Sequence, residues 1–234
     1  MRLLVSVRDA HEAHSALDGG ADLIDAKDPL MGALGPVSLE ELERICTAVS
    51  GRRSVSAALG DAMDEPGVRR TSQTYASRGA TFVKIGFSGI RDRRVVAQLI
   101  RAAVNGAQAS GSRCGVVAVA YADAQPTTIA PEAVVDAAAE AGAIGVLLDT
   151  TDKDGPGLRQ VMTARALHEW ASDAHDAGLL VAIAGRLTSA DLPFVRDAGA
   201  DIAGVRGAAC EGGRGGSVVA DKVRLLRDRL SHRR

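Results

Sequence analysis

The chain has 234 residues, 46% of them hydrophobic and 24% charged, a composition that supports one globular core. Its formal net charge of −1 offers no electrostatic case for binding nucleic acid or an anionic membrane, and no apolar run approaches the ~20 residues of a membrane span. Three dispersed cysteines, Cys46, Cys114 and Cys210, form no CxxC pair and argue against a disulfide framework, so a reducing, cytoplasmic setting is expected.

Leu3 to Val7 reads as a first strand, followed by Arg8-Asp9 and a helix from about Ala10 to Leu17 that Gly19-Gly20 closes. Asp22 to Lys27 is a second strand. Alternation puts Asp25 and Lys27 on one face, and Pro29 ends the ladder. Ser38 with Glu41 three residues on is a capping box for a helix to about Val49. Ser54 to Leu59 is a third strand ending in Gly60-Asp61, with a helix from about Gly67 to Ser77 behind it. Thr81 to Gly86 is a fourth strand, then a helix from about Asp92 to Asn105. Gly115 to Tyr121 is a fifth, and Pro131 opens the next helix at a position where its missing N–H costs nothing. Gly145 to Thr150 is a sixth, and one long helix is expected from about Leu158 to Asp176. Leu179 to Ala184 is a seventh, with Thr188 as the following N-cap. Asp201 to Val205 is an eighth, and after a glycine-rich loop Ser217 is expected to cap the last helix.

Strict strand–helix alternation with short connections implies a parallel sheet with helical crossovers. Eight such units in about 230 residues fit an α/β fold of (β/α)8 type, a single-domain TIM barrel spanning residues 1–234. An open doubly wound sheet is the alternative, although it usually has fewer strands in this length. Gly20-Ala21, Gly79-Ala80, Gly142-Ala143 and Gly199-Ala200 recur at intervals of about 60 residues, each before an even-numbered strand, which favours a barrel of two-strand modules.

In such barrels the active site gathers at the C-terminal strand ends. Those ends carry Arg8, then Asp25 and Lys27, Asp61, Lys84, Tyr121 and Asp123, Asp149 with Lys153 four residues on, Arg186 and Arg206. Lys27, Lys84 and Asp149 stand in otherwise apolar strands, where an unpaired charge is costly. One reading is a structural ion-pair network. The other is that crowded cations and an apolar wall lower the pKa of one lysine, making it a nucleophile for carbonyls, with Asp149 moving protons. Gly185-Arg186, Arg206-Gly207 and the Glu211 to Ser217 segment with Arg214 follow strands seven and eight, where barrels commonly hold phosphate. A plain surface loop is the other reading of that segment. Candidate catalytic residues are therefore Lys27, Lys84, Asp149 and Asp25. Candidate substrate and phosphate ligands are Lys153, Arg8, Asp61, Arg186, Arg206, Gly207, Gly185 and Arg214. His11 and His14 share a helix face with no supporting carboxylate pattern, and there is no HExxH and no Rossmann GxGxxG. No metal and no nucleotide cofactor is expected.

These residues resemble those of a known family, the (5-formylfuran-3-yl)methyl phosphate synthases, also called 4-(hydroxymethyl)-2-furancarboxaldehyde-phosphate synthases, of methanofuran biosynthesis. The resemblance runs through Leu4-Val5-Ser6-Val7-Arg8 with Glu12-Ala13, Gly19 to Pro29, Gly32 to Gly35 and Val55 to Asp61. It continues through Phe82 to Gly86, Leu148-Asp149-Thr150 with Lys153-Asp154-Gly155, and Gly204 to Cys210. The chain departs at flanking positions such as Ala26 and Leu30. The resemblance implies a barrel lyase that condenses two molecules of glyceraldehyde 3-phosphate into a phosphorylated furan aldehyde, with loss of phosphate and water. It implies that Lys27 is the Schiff-base lysine, Lys84 and Lys153 further active-site lysines, and Asp149 the acid/base carboxylate. It implies an imine between Lys27 and the ketone isomer of one triose phosphate, whose enamine would attack the aldehyde of the second. A class I aldolase that stops at carbon–carbon bond formation is one alternative; a non-catalytic barrel that binds a phosphate ligand is another, and its expected sign, loss of a strand-end lysine or carboxylate, is not seen here. The expected partner is thus a small molecule, with no nucleic acid and no membrane, and a homo-oligomer stays open.

Overall fold

A computed structural model describes residues 1–231; residues 232–234, the end of the expected domain, lie outside the described residues. Eight parallel strands, β1 (Arg2–Val7), β2 (Leu23–Ala26), β3 (Ser54–Asp61), β4 (Phe82–Gly86), β5 (Gly115–Tyr121), β6 (Gly145–Asp149), β7 (Leu180–Ile183) and β8 (Ile202–Val205), pair in sequence order. Strand β8 pairs back onto β1, so the sheet closes. Helices α1 (Ala10–Asp18), α2 (Leu39–Val49), α3 (Glu65–Ser77), α4 (Arg93–Ala109), α5 (Pro131–Ala141), α6 (Leu158–Val161), α7 (Ala164–Asp176), α8 (Leu192–Asp197) and α9 (Ala220–Ser231) follow the strands. The fold is the (β/α)8 barrel, not the open sheet.

Alternation assigns the two faces of each strand. Leu3, Val5 and Val7 point outward into the apolar layer beneath the helices. Leu4, Leu23, Phe82, Ala182 and Ile202 point inward and fill the floor of the barrel. Above that floor the inward positions turn polar. Ser6 is in register with Asp25, Asp25 with Ser56, and Ala58 with Lys84. Lys27 lies just beyond β2, but its N–H still donates to the Val7 carbonyl, which keeps its side chain on the inward face.

The recurring Gly-Ala pairs all do the same work. Gly20, Gly79, Gly142 and Gly199 take φ between +79° and +102°, where a side chain would be strained. The following alanine N–H then turns back onto the preceding helix, to Ala16, Tyr75, Ala138 and Val195.

Three local expectations differ from the structure. The long helix is two, because Met162 is extended and Thr163 caps a new helix by accepting from the Ala166 N–H at 3.2 Å. Thr188 is not a cap; its N–H and hydroxyl donate to Asp191 Oδ2, and α8 starts only after Asp191, with Pro193 in its first turn. Ser217 belongs to a short antiparallel hairpin, β9 (Cys210–Glu211) with β10 (Ser217–Val218). Glycine makes that hairpin possible, since a Cβ on Gly216 would lie 1.6 Å from the Glu211 carbonyl oxygen.

Candidate active site

A cavity of about 520 Å³ opens above the barrel floor, walled on one side by Asp25, Lys27, Lys84, Asp149 and Lys153. The five groups are brought together by the C-terminal ends of β2, β4 and β6. Two ion pairs organise them. Lys84 Nζ lies 2.6 Å from Asp25 Oδ1, and Lys153 Nζ lies 2.6 Å from Asp149 Oδ1. Asp25 is fully buried and also accepts from the hydroxyls of Ser6 and Ser56, at 2.8 and 2.7 Å. Burial alone would raise the Asp25 carboxyl, but Lys84, Lys27 and the hydrogen bonds from Lys84 and Ser56 outweigh it and hold the group below its ordinary 3.8. Burial likewise opposes ionisation of Asp149, and Lys153, Lys27 and the Thr150 N–H prevail, again keeping the carboxyl low.

Lys27 is left over. It is only 7% exposed, and its side-chain amine makes no hydrogen bond or ion pair among the described residues. Burial, joined by the cations of Lys84 and Lys153, outweighs the attraction of Asp149 and Asp25 and pushes its pKa down from 10.5 to about 8. About a tenth of the amine is therefore neutral at pH 7, far more than for an ordinary lysine. An ion-pair network therefore exists, and one lysine stands outside it.

The loop after β6 explains how Lys153 reaches back over Asp149. Asp123 accepts the N–H groups of Thr151 and Asp152 at 2.7 and 2.9 Å. Asp152 in turn accepts those of Asp154 and Gly155, both at 2.9 Å, in a tight turn. Two carboxylates thus fold the backbone, and Lys153 needs only four residues to return to its partner.

The opposite wall carries Gly185, Arg186, Gly207, Gly213 and Arg214. Gly185 takes φ +104° and Arg186 φ +58°, an arrangement that costs a non-glycine residue about 1–2 kcal/mol. Arg186 is exposed at the mouth and makes no hydrogen bond or ion pair among the described residues. Arg206 lines the cavity, but its guanidinium is already occupied: it is paired with the buried carboxylate of Glu12 at 2.5 Å and donates to three carbonyls. Arg8 lies outside the cavity, held by Glu12 at 3.2 Å, the Gly215 carbonyl and Ser217. Asp61 is also outside, where it accepts from the Tyr121 hydroxyl at 2.8 Å and the Ser88 N–H at 3.0 Å. Arg214 lines the cavity while its guanidinium donates to the carbonyls of Pro29 and Gly32. Of the eight expected phosphate ligands, then, Lys153, Arg186, Gly185 and Gly207 present themselves to the cavity. Arg8, Arg206 and Arg214 are spent within the protein, and Asp61 anchors Tyr121.

Ser6, Ser56 and Glu12 went unrecognised in the sequence. The serines were legible from register, since each is the direct neighbour of Asp25 on an adjacent strand. Glu12 shares the buried face of α1 with Ala13 and Ala16, and an acid on a buried helix face is the signal of a paired charge. Among the described residues no group of three or more His, Cys, Asp and Glu side chains can hold a metal ion, and no helix is long and apolar enough to cross a membrane.

Solved barrels share the architecture at low identity. Phosphoribosyl anthranilate isomerase from Thermus thermophilus superposes with a TM-score of 0.65 at 17% identity, covering 99% of this chain and 98% of that one. A 3-hexulose-6-phosphate synthase gives 0.62 at 22%, covering 98% and 100%. The sequence relatives are nearer. The (5-formylfuran-3-yl)methyl phosphate synthase of Methanopyrus kandleri is 38% identical over 98% of this chain and 99% of its own length. That of Methanocaldococcus jannaschii is 34% identical over 97% and 99%. A family model described as 4-HFC-P synthase matches residues 3–227. With this agreement over nearly the whole length, the chain belongs to the 4-HFC-P synthase family.

Proposed function

We propose that this enzyme condenses two molecules of glyceraldehyde 3-phosphate into (5-formylfuran-3-yl)methyl phosphate through an imine on Lys27, releasing phosphate and water. The supporting observation is the isolation of Lys27, a buried amine between two satisfied ion pairs with a pKa pushed down to about 8. Such an amine attacks carbonyls where an ordinary lysine would be protonated.

The product skeleton corrects the expected order of bond formation. An enamine of the ketone attacking an aldehyde gives an unbranched six-carbon chain. The furan is branched at the carbon bearing the phosphomethyl group, so that carbon is a triose ketone carbon that has been attacked. One glyceraldehyde 3-phosphate is first isomerised to the ketone by moving a proton between adjacent carbons. Lys27 condenses with that ketone, expelling water and leaving an electrophilic iminium carbon. The second triose phosphate loses the proton beside its aldehyde and expels its phosphate, giving an enol whose terminal carbon attacks the iminium. The free hydroxyl of the first triose then adds to the newly formed ketone and closes the five-membered ring. Loss of a second water, and departure of the Lys27 amine, make the ring aromatic.

These proton transfers need a carboxylate at the mouth. Asp149 Oδ1 already takes Lys153 and the Thr150 N–H, which leaves Oδ2 for substrate. Lys153 and Arg186 take the phosphates beside the Gly185 and Gly207 backbone. A phosphate that draws Lys153 away makes Asp149 more basic. The test is incubation with glyceraldehyde 3-phosphate followed by mass and ultraviolet analysis. A furan aldehyde with one phosphate released per furan is expected. A hexose bisphosphate with no phosphate released would instead identify an aldolase.

A further inference from the structure

We propose that Glu12 is a positioning residue of this active site: it acts through Arg206 on the glycine wall, and that wall acts through Arg214 on the loop that follows Lys27. The inference rests on the reading above that this wall receives a substrate phosphate.

Glu12 lies on α1, outside the barrel sheet, with 1% of its surface exposed. Its Oε2 accepts from the Arg8 backbone N–H at 2.9 Å and from Arg206 Nη1 at 2.5 Å. Its Oε1 accepts from Arg206 Nη2 at 3.1 Å. A buried ion pair is a weak source of stability compared with apolar packing, but it fixes direction. Here it fixes the direction of the Arg206 guanidinium. The remaining donors of Arg206 reach the Arg214 carbonyl at 3.1 Å, the Gly216 carbonyl at 2.9 Å and the Ser6 carbonyl at 3.0 Å. Every donor of the fork is thereby assigned.

Two of those carbonyls belong to the segment Gly212-Gly213-Arg214-Gly215-Gly216, which has almost no side chains with which to hold itself. Gly212 and Gly213 both take φ +76°, a conformation that glycine adopts without strain. Arg214, the one residue there with a side chain, reaches across to the carbonyls of Pro29 and Gly32. Pro29 is two residues from Lys27. One continuous chain of hydrogen bonds therefore runs from a helix carboxylate, along the wall of the cavity, to the loop beside the reactive amine. Without Glu12 the guanidinium of Arg206 loses two of its acceptors and its fixed orientation.

Three readouts separate positioning from a general structural role. They are the affinity for inorganic phosphate by calorimetry, the KM and kcat for glyceraldehyde 3-phosphate, and borohydride trapping of unphosphorylated glyceraldehyde on Lys27. In Glu12→Gln, phosphate affinity is expected to fall about tenfold or more, with kcat/KM falling mainly through KM. Trapping of the unphosphorylated aldehyde stays at the wild-type rate, because the amine itself is untouched. Arg214→Gln, which removes the guanidinium contacts to the Pro29 and Gly32 carbonyls, reproduces the phosphate defect and carries the test should Glu12→Gln fail to fold. The double variant is weakened by less than the product of the two single effects, since both act along one chain of contacts. Equal phosphate affinity in wild type and both variants would overturn the role of Glu12, as would trapping of glyceraldehyde that falls in step with phosphate affinity, or fully multiplicative single effects. A wild-type protein that binds no phosphate would instead overturn the reading of the wall.

Discussion

The ammonium of Lys84 lies 2.6 Å from Asp25 Oδ1, reaching past β3 to a carboxylate two residues from Lys27 in the chain. Asp25 therefore does not serve as the partner of Lys27. Its charge is already matched by Lys84 and its lone pairs are taken by Ser6 and Ser56. Lys84 thus influences Lys27 in two ways: as a nearby cation, and by occupying the carboxylate that would otherwise hold the Lys27 ammonium.

Replacing Lys84 with Met removes both effects, and both losses raise the Lys27 pKa. The acidic limb of kcat/KM against pH, which reports the free enzyme, is expected near pH 8 in the wild type. In Lys84→Met it moves up by about one unit or more, and activity at neutral pH falls about tenfold or more. A limb that stays in place would separate Lys84 from the tuning of Lys27.

The buried amine costs stability. Below pH 8 Lys27 is protonated in both the folded and the unfolded chain, and the cost of burying its charge is fully present. Between 8 and 10.5 the unfolded chain binds the extra proton, so stability rises with pH, and above 10.5 the cost is gone. Lys27→Met is expected to stabilise the protein at neutral pH by on the order of 2–3 kcal/mol, with the gain shrinking as the pH approaches 10. Urea denaturation at both pH values measures this directly.

Ser56→Ala removes the 2.7 Å hydrogen bond to Asp25. A bond to a charged group is worth about 1.5–3 kcal/mol, and its loss lets the Asp25 carboxyl rise toward the ordinary value. Because that group is held low in the folded state, its stabilising contribution is present above 3.8 and is lost as the pH falls through the folded value. Acid unfolding of the variant should therefore begin at a higher pH than in the wild type, which circular dichroism during an acid titration will show.

Asp149→Asn keeps the size of the side chain but not its charge. The imine on Lys27 should still form, while the proton transfers that follow slow by about 10²–10⁴-fold. Rapid-quench measurements should show trapped intermediate accumulating while furan formation lags. Unimpaired furan formation would assign the protons to another group.

The barrel was legible because strand and helix periods alternate without interruption, and the Gly-Ala pairs repeat before every second strand. Lys27, Lys84, Asp149 and Lys153 were legible because charge at the end of an apolar strand is expensive and therefore conspicuous. Pairing was not legible, since which lysine reaches which carboxylate depends on strand stagger and on the loop that Asp123 and Asp152 fold. The internal pairing of Arg8 and Arg206 was not legible for a related reason. Their partner, Glu12, sits on a helix, and strand ends alone give no hint of a carboxylate that arrives from outside the sheet. The break at Met162 and Thr163 was hidden because Thr is tolerated inside helices, so only its capping geometry marks a new start.

The most direct measurement of the central claim is borohydride reduction of the enzyme in the presence of glyceraldehyde 3-phosphate, followed by peptide mass mapping. A triose phosphate adduct on the peptide carrying Lys27, absent from Lys27→Ala, is the expected result. Adduct on Lys84 or Lys153 instead, or furan formation by Lys27→Ala, would contradict it.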